Sequence, residues 1–326
     1  MNDAHSPPPT GPAAAWARLR RFTRRHSRPI TVGGSLLATA VLVAILAGRR
    51  HQFEVALTRA SILTLLAAAA LQLVALLARS EAWHVCIAAA GGTLRRRILY
   101  RASSMGYVGS LLNAQVGTAA RIAALRRSSP GDSPGVSTLI AAEFPIMAVE
   151  ATLAALTSFT LVGPLGLPWW LPIVCVAVFA GLSAGLRHLA LLKGRALWSG
   201  LAVLRSLHGG RRLLAFVLVA VFAQILRNWL LLNAVGVNAS FLDAIAVLIA
   251  MVALTQLPIG PGTGAAAAVL ILGRHGIAAV AAAGLLSTVT GTFGGLSFAA
   301  WAGADRLWSG SGAQATLRGH RKRLLR

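Results

Sequence analysis

From Val55 to Leu77 the chain reads VALTRASILTLLAAAALQLVALL, and Arg59 is its only ionisable residue. A helix needs about 20 consecutive, largely apolar residues to cross the hydrocarbon of a bilayer, so this stretch predicts a transmembrane span. Similar runs recur at Ile30 to Ala47, Val136 to Val162, Trp169 to Leu186, Leu213 to Val235, Phe241 to Leu257 and Ile277 to Ala302. Ser103 to Leu125 is a weaker candidate, rich in glycine and polar residues, and reads as broken or re-entrant. Gly264 to Leu272 is a short apolar piece after a Gly/Pro turn. The expected fold is all-α: a polytopic transmembrane bundle of about eight spans with one or two broken or re-entrant segments.

Composition points the same way. The 326 residues are 56% hydrophobic and only 12% charged, whereas a soluble domain carries about 25% charged residues. Charge is scarce where most of the chain is expected to sit in lipid. Lys and Arg number 31 against 8 Asp and Glu, a net charge of +23. The basic residues cluster between and beyond the apolar runs, as in Arg18 to Arg28, Arg95 to Arg101, Arg187 to Arg212 and Arg306 to Arg326. This is the positive-inside pattern, and it suits anionic lipid headgroups. No recognition motif accompanies the charge, which argues against nucleic acid as a partner. The two cysteines, Cys86 and Cys175, form neither a disulfide framework nor a metal spacing, so no metal and no cofactor is expected. The organisation read from these features is a disordered basic tail (1–29), a membrane domain (30–303) and a second basic tail (304–326). The protein is placed in the cell membrane with both termini cytoplasmic, and the uncharged turns Gly163 to Pro168 and Gly236 to Ser240 lie on the other side.

Two stretches interrupt the apolar pattern alike. One is Gly109-Ser-Leu-Leu-Asn113-Ala-Gln115-Val-Gly117-Thr118-Ala-Ala-Arg121. The other is Thr255-Gln256-Leu-Pro258-Ile-Gly260-Pro261-Gly262-Thr263-Gly264. Each sets an amide side chain before glycine and then resumes an Ala-rich helix. Proline removes a backbone donor and glycine weakens a helix, and the freed backbone groups cannot face lipid. They must be buried in protein or line a polar cavity, the arrangement of transporter binding sites. The competing reading is a pair of Gly/Pro turns at helix ends. The first stretch fits both readings. The second, denser in glycine and proline, favours a site.

Ionisable residues at membrane depth are costly and are site candidates for that reason. Glu143 and Glu150 are seven apart, about two turns along one helical face, and suit pairing with arginines of neighbouring helices. Gln224, Arg227 and Asn228 fall at i, i+3 and i+4 and form one polar face. A guanidinium suits bidentate phosphate recognition, so Arg227 and Arg121 are candidates for binding an anionic headgroup, with a structural ion pair as the alternative. His84, near Glu81 and Trp83, lacks further metal ligands and reads with Trp83 as part of an interfacial belt, as do Trp169 and Trp170. No GxSxG, HExxH, SxxK or Walker sequence occurs, which leaves little basis for a membrane hydrolase.

At these segments the chain resembles the lysylphosphatidylglycerol synthase transmembrane (flippase-like) family, which includes the membrane half of the multiple peptide resistance factor. Leu77-Ala-Arg79-Ser-Glu81-Ala-Trp83 is similar to the family's Arg-Trp segment after the second span. Asn113 to Arg121 resembles its Asn…Pro…Gly-Glu-x-x-Arg segment, and Glu143 the glutamate of its Glu-Arg motif. Gln256 to Gly264, with Pro258, Pro261 and Gly262, resembles its Pro-x-x-Pro-Gly-Gly segment. The chain departs from the pattern at Thr118, where glutamate is usual, at Ala114, near which a proline is usual, at Phe144 in place of arginine, and at Ala265 to Ala268, where a glutamate is usual.

The resemblance implies a membrane protein that handles or translocates anionic or aminoacylated phospholipid. The candidate site joins residues of these motifs, Asn113, Gln115, Gly117, Arg121, Glu143, Gln256, Pro258, Pro261 and Gly262, with Glu150, Arg227 and Asn228, the polar residues at membrane depth. The soluble synthase domain of the bifunctional relatives has no counterpart in these residues, so no enzymatic activity is expected. The departures motivate an alternative, a non-transporting accessory or scaffold subunit of a cell-envelope complex. The expected partners are phospholipids with anionic headgroups, together with a second copy of the chain or an envelope enzyme. A membrane glycosyl- or acyl-transferase ranks last, because the loops are almost purely basic.

Overall fold

A computed structural model describes residues 50–110, 114–129, 134–191, 200–255, 263–273 and 276–324. They form helices α1 (Arg50–Arg59), α2 (Ile62–Ala89), α3 (Arg96–Ser110), α4 (Ala114–Ser128), α5 (Val136–Ala141), α6 (Phe144–Thr157), α7 (Val162–Leu165), α8 (Leu171–Leu191), α9 (Leu207–Ala234), α10 (Phe241–Thr255), α11 (Thr263–Leu272) and α12 (Ile277–Leu324). No strand occurs among the described residues.

Five stretches are helical, long and apolar enough to cross a membrane: Ile62–Ala89, Val136–Leu165, Leu171–Leu191, Leu207–Ala234 and Ile277–Asp305. Large apolar side chains, among them Ile62, Leu63, Ile173, Leu182, Phe222 and Phe293, are exposed on them. So continuous an apolar surface suits lipid rather than water. The chain is an integral membrane protein. The span expected at Ile30 to Ala47 lies outside the described residues.

Several expected boundaries move. The run from Val55 is split at Ala60–Ser61, where the Ser61 hydroxyl accepts from the Thr64 amide and starts α2 afresh. The helix α2 then runs on to Ala89, so Arg79, Glu81 and Trp83 lie inside it rather than after it. The charges of Arg79 and Glu81 are tolerated there because each is ion-paired. The run beginning at Val136 is interrupted at Ala142–Glu143, ahead of Pro145 in the first turn of α6. The helix α12 continues past Ala302 to Leu324 without a break, through the residues expected as a basic tail.

The two interrupted stretches become helix pairs. α3 and α4, 15 residues each, are about 22 Å long, short of the ~30 Å hydrocarbon core. They lie antiparallel at close range: a Cβ on Gly106 would meet the Arg121 Cβ at 2.9 Å, and one on Gly109 the Gly117 Cα at 3.0 Å. α10 (15 residues) and α11 (10 residues) are likewise too short and pack together. Asn113, Gln256, Pro258, Pro261 and Gly262 lie outside the described residues.

The fold contains an internal repeat that composition alone does not reveal. α2 and α9 each have 28 residues, and α3 and α10 each have 15. The same interval, 145 residues, separates Ser61 from Ser206, Gly91 from Gly236 and Arg96 from Phe241. Both serines cap their helix through the side chain, Ser206 accepting from the Gly209 amide. Both glycines have left-handed φ (91° and 83°) and close the helix with one bonding pattern: Gly92 N to Ile87 O, and Val237 N to Leu232 O. After each hairpin a long apolar helical stretch follows, Val136–Leu165, broken at Ala142–Glu143, in the first unit and Ile277–Asp305 in the second. Gly117-Thr118 and Gly262-Thr263 occupy the same register in the sequence.

The two units are inverted. The end of α2 (Ala82 to Ile87) shares a core with the start of α9 (Leu213, Val217), while Ala68 near its start shares one with Leu231 and Leu232. α2 and α9 therefore run antiparallel, and they form the most extensive helix contact among the described residues. The segment around Arg95–Arg101, the start of α9 and Asp305 of α12 fall at one end, where Arg101 bonds Asp305. Leu161, Leu165, Val235, Val237 and Val280 gather at the other. The α3–α4 hairpin thus enters from the basic end and the α10–α11 hairpin from the far end. Arg59 is the exception in charge placement, reaching Gly236 at the far end.

Candidate functional site

The interior holds two polar centres on either side of α3. The first joins α2, α4 and the α5–α6 break. Arg121 on α4 is ion-paired with Glu143, and both side chains are 12% exposed. Its guanidinium also sits over the Trp83 ring, 4.1 Å from the centroid, a cation–π geometry. Arg79 on α2 pairs with Glu150 on α6 at 2.9 Å. The two glutamates are therefore each matched to an arginine of another helix. Trp83 has no exposure, so it belongs to the core and not to an interfacial belt. Trp169 and Trp170 are exposed beside Pro168.

The second centre joins α2, α9 and α12. Arg227 is 6% exposed and donates from Nη1 to the Gln72 Oε1 and from Nη2 to the Ser287 Oγ (2.9 Å). Gln224 donates to the same Gln72 oxygen at 2.9 Å, and Ser287 donates to the Asn228 Oδ1 at 3.2 Å. Every partner is neutral. Arg227 has no carboxylate partner among the described residues, and its buried Nε has no hydrogen bond there. Asn228 and Ser287 also border a small cavity of about 10 Å³, room for about one water molecule, whose other walls include Leu231, Met251 and Ala268.

Two adjacent residues of α3 serve the two centres. Gly106 gives room to Arg121, and the Tyr107 hydroxyl donates to the Gly291 carbonyl at 2.8 Å, next to Arg227. Glycines on α12 make the approach feasible: a Cβ on Gly291 would lie 3.2 Å from the Arg227 Nη1, and one on Gly294 3.0 Å from the Ala69 carbonyl. The Gly291–Gly295 spacing is that of close helix packing in membranes.

A third group lies toward the basic end. Glu81 accepts from the Tyr100 hydroxyl and pairs with Arg96 at 3.3 Å, and His84 Nδ1 stands 3.7 Å from it. Among the described residues no group of three or more His, Cys, Asp or Glu is placed to hold a metal ion.

Of the candidate residues, Arg121, Glu143 and Glu150 fall in the first centre, and Arg227 and Asn228 in the second. Gly117 is buried in the hairpin contact, its would-be Cβ 2.7 Å from the Gly106 carbonyl. Gln115 is placed in α4 by its backbone. Arg121 and Arg227 do not share one centre; α3 stands between them. Gln72, Tyr107, Ser287 and Gly291 escaped the sequence reading. Gln72 carried a signal, as the one amide in the run from Ile62 to Ala78.

No family model, curated protein or solved structure is significantly similar to the chain.

Proposed function

We propose that this integral membrane protein handles phospholipid with an anionic or aminoacylated headgroup, moving it between leaflets through the bundle interior, as the motif resemblance to the flippase-like family implies. One observation carries the reading: a buried arginine, Arg227, is held in an apolar membrane bundle by partners that, among the described residues, are all neutral. Desolvating a cation costs several kcal/mol unless it is compensated. An anionic headgroup is the compensation available inside a bilayer. The two short hairpins support the reading, because helices too short to span leave backbone groups that need polar surroundings at mid-depth. On this reading the headgroup passes between α2, α9 and α12 while the acyl chains stay in lipid. The basic end, with Arg95, Arg96, Arg97 and Arg101, faces the cytoplasm and gathers anionic lipid there.

The test uses vesicles carrying a phosphatidylglycerol analogue with a fluorescent group, and an impermeant reductant that quenches only the outer leaflet. Protein-bearing vesicles are expected to lose signal beyond the outer-leaflet fraction. The same plateau in empty and protein-bearing vesicles refutes translocation.

A further inference from the structure

The two inverted units differ in the charges along their helices. In the first, α2 carries Arg79, and the unit's last long helix supplies Glu150 to neutralise it at 2.9 Å. In the second, Gln224 stands in the register of Arg79, and Arg227 follows one turn on along the same face of α9. The last long helix of that unit has no acidic residue from Ile277 to Ala304; it presents Ser287 and Gly291 to Arg227 instead. Arg121 is neutralised as well, by Glu143. So of the three arginines buried at the two centres or paired across them, Arg227 is the one without a counter-charge among the described residues.

We propose that Arg227 is a binding site for one phosphate-class monoanion, which supplies the counter-charge that a carboxylate supplies to Arg79 in the first unit. The inference rests on the reading above for its setting but concerns binding, not transport. The donor set fits a phosphodiester. A guanidinium presents a planar fork to two oxygens, and its Nε–H is unused. Around it Gln72 presents its acceptor oxygen, and the Ser287 and Tyr107 hydroxyls, which donate to the Asn228 Oδ1 and the Gly291 carbonyl, are rotatable donors that can turn to an anion. One uncompensated positive charge balances one negative charge, which favours a diester over a phosphate dianion.

The discriminating variant is Ser287→Asp. It sets a built-in carboxylate where the Ser287 hydroxyl already meets the Arg227 Nη2, recreating the first unit's ion pair. Full-length protein in detergent is compared with S287D and R227Q by native mass spectrometry after exposure to phosphatidylglycerol or phosphatidylcholine, and by thermal unfolding with and without inorganic phosphate. We expect selective retention of phosphatidylglycerol by the unmodified protein and a loss of about tenfold or more in S287D, which should unfold at an equal or higher temperature. Stabilisation by inorganic phosphate that disappears in S287D would equally support the site, with a free anion as its source. Equal lipid retention and equal phosphate response in the unmodified protein and a folded S287D overturn it. Arg227-dependent binding without leaflet exchange would refute the translocation reading and leave this site standing.

Discussion

The ring of Tyr107 on α3 occupies the space where a side chain on Gly295 of α12 would begin. That contact seats the first hairpin against the last helix and holds the Tyr107 hydroxyl on the Gly291 carbonyl. Gly295→Ala forces the ring to move and is expected to destabilise the protein by about 1–3 kcal/mol. Gly303, with nothing within 4 Å of its would-be Cβ, is the control. Thermal unfolding in detergent should show a lowered midpoint for G295A and none for G303A. Equal midpoints would mean that the hairpin is not seated there.

Arg121 and Glu143 form a buried pair, so losing one member strands the other's charge. Glu143→Gln alone is expected to cost about 3–5 kcal/mol, and adding Arg121→Gln should recover much of it. The measurement is the unfolding midpoint of the two single variants and the double variant. Additive losses would show that the two side chains act independently.

The membrane class was legible in apolar length, since about 20 residues without charge have few other uses. That Ser103 to Leu125 is not one continuous span was also legible, because Gly109, Gly117 and the nearby amides oppose a continuous helix. What the periodicity concealed was the inversion. The repeat is carried by caps and lengths, Ser61 with Ser206 and Gly91 with Gly236, while the apolar residues between them were free to vary as long as they stayed apolar. The pairing of centres was hidden for a related reason. Arg227 could have met Glu143 or Glu150 on sequence grounds; it meets Gln72 and Ser287 because Arg121 and Arg79 take the two glutamates. A polar side chain such as Gln72 on an otherwise apolar helix has no periodicity that could reveal its partner.

Because α2 and α9 are antiparallel, Thr93 and Ser240, which follow them, sit at opposite ends of the bundle. With Cys86 and Cys175 replaced by alanine, single cysteines at Thr93 and Ser240 should react with an impermeant maleimide from opposite sides of sealed vesicles. Labelling of both from one side contradicts the inverted arrangement.

Gln72 is the hinge of the second centre, since one oxygen accepts from both Gln224 and Arg227. Gln72→Leu is close in volume but removes that acceptor, leaving the buried Arg227 and the half-buried Gln224 short of a partner, at a cost of about 1–3 kcal/mol. Gln72→Glu keeps the shape and adds the charge that Arg227 lacks. It is therefore expected to raise the unfolding midpoint where Q72L lowers it, and to weaken retention of phosphatidylglycerol as S287D does. Two unrelated positions, one on α2 and one on α12, would then produce the same loss through the same guanidinium. A more stable Q72E that holds phosphatidylglycerol as firmly as the unmodified protein would separate the charge of Arg227 from lipid binding, and would place the headgroup elsewhere in the bundle.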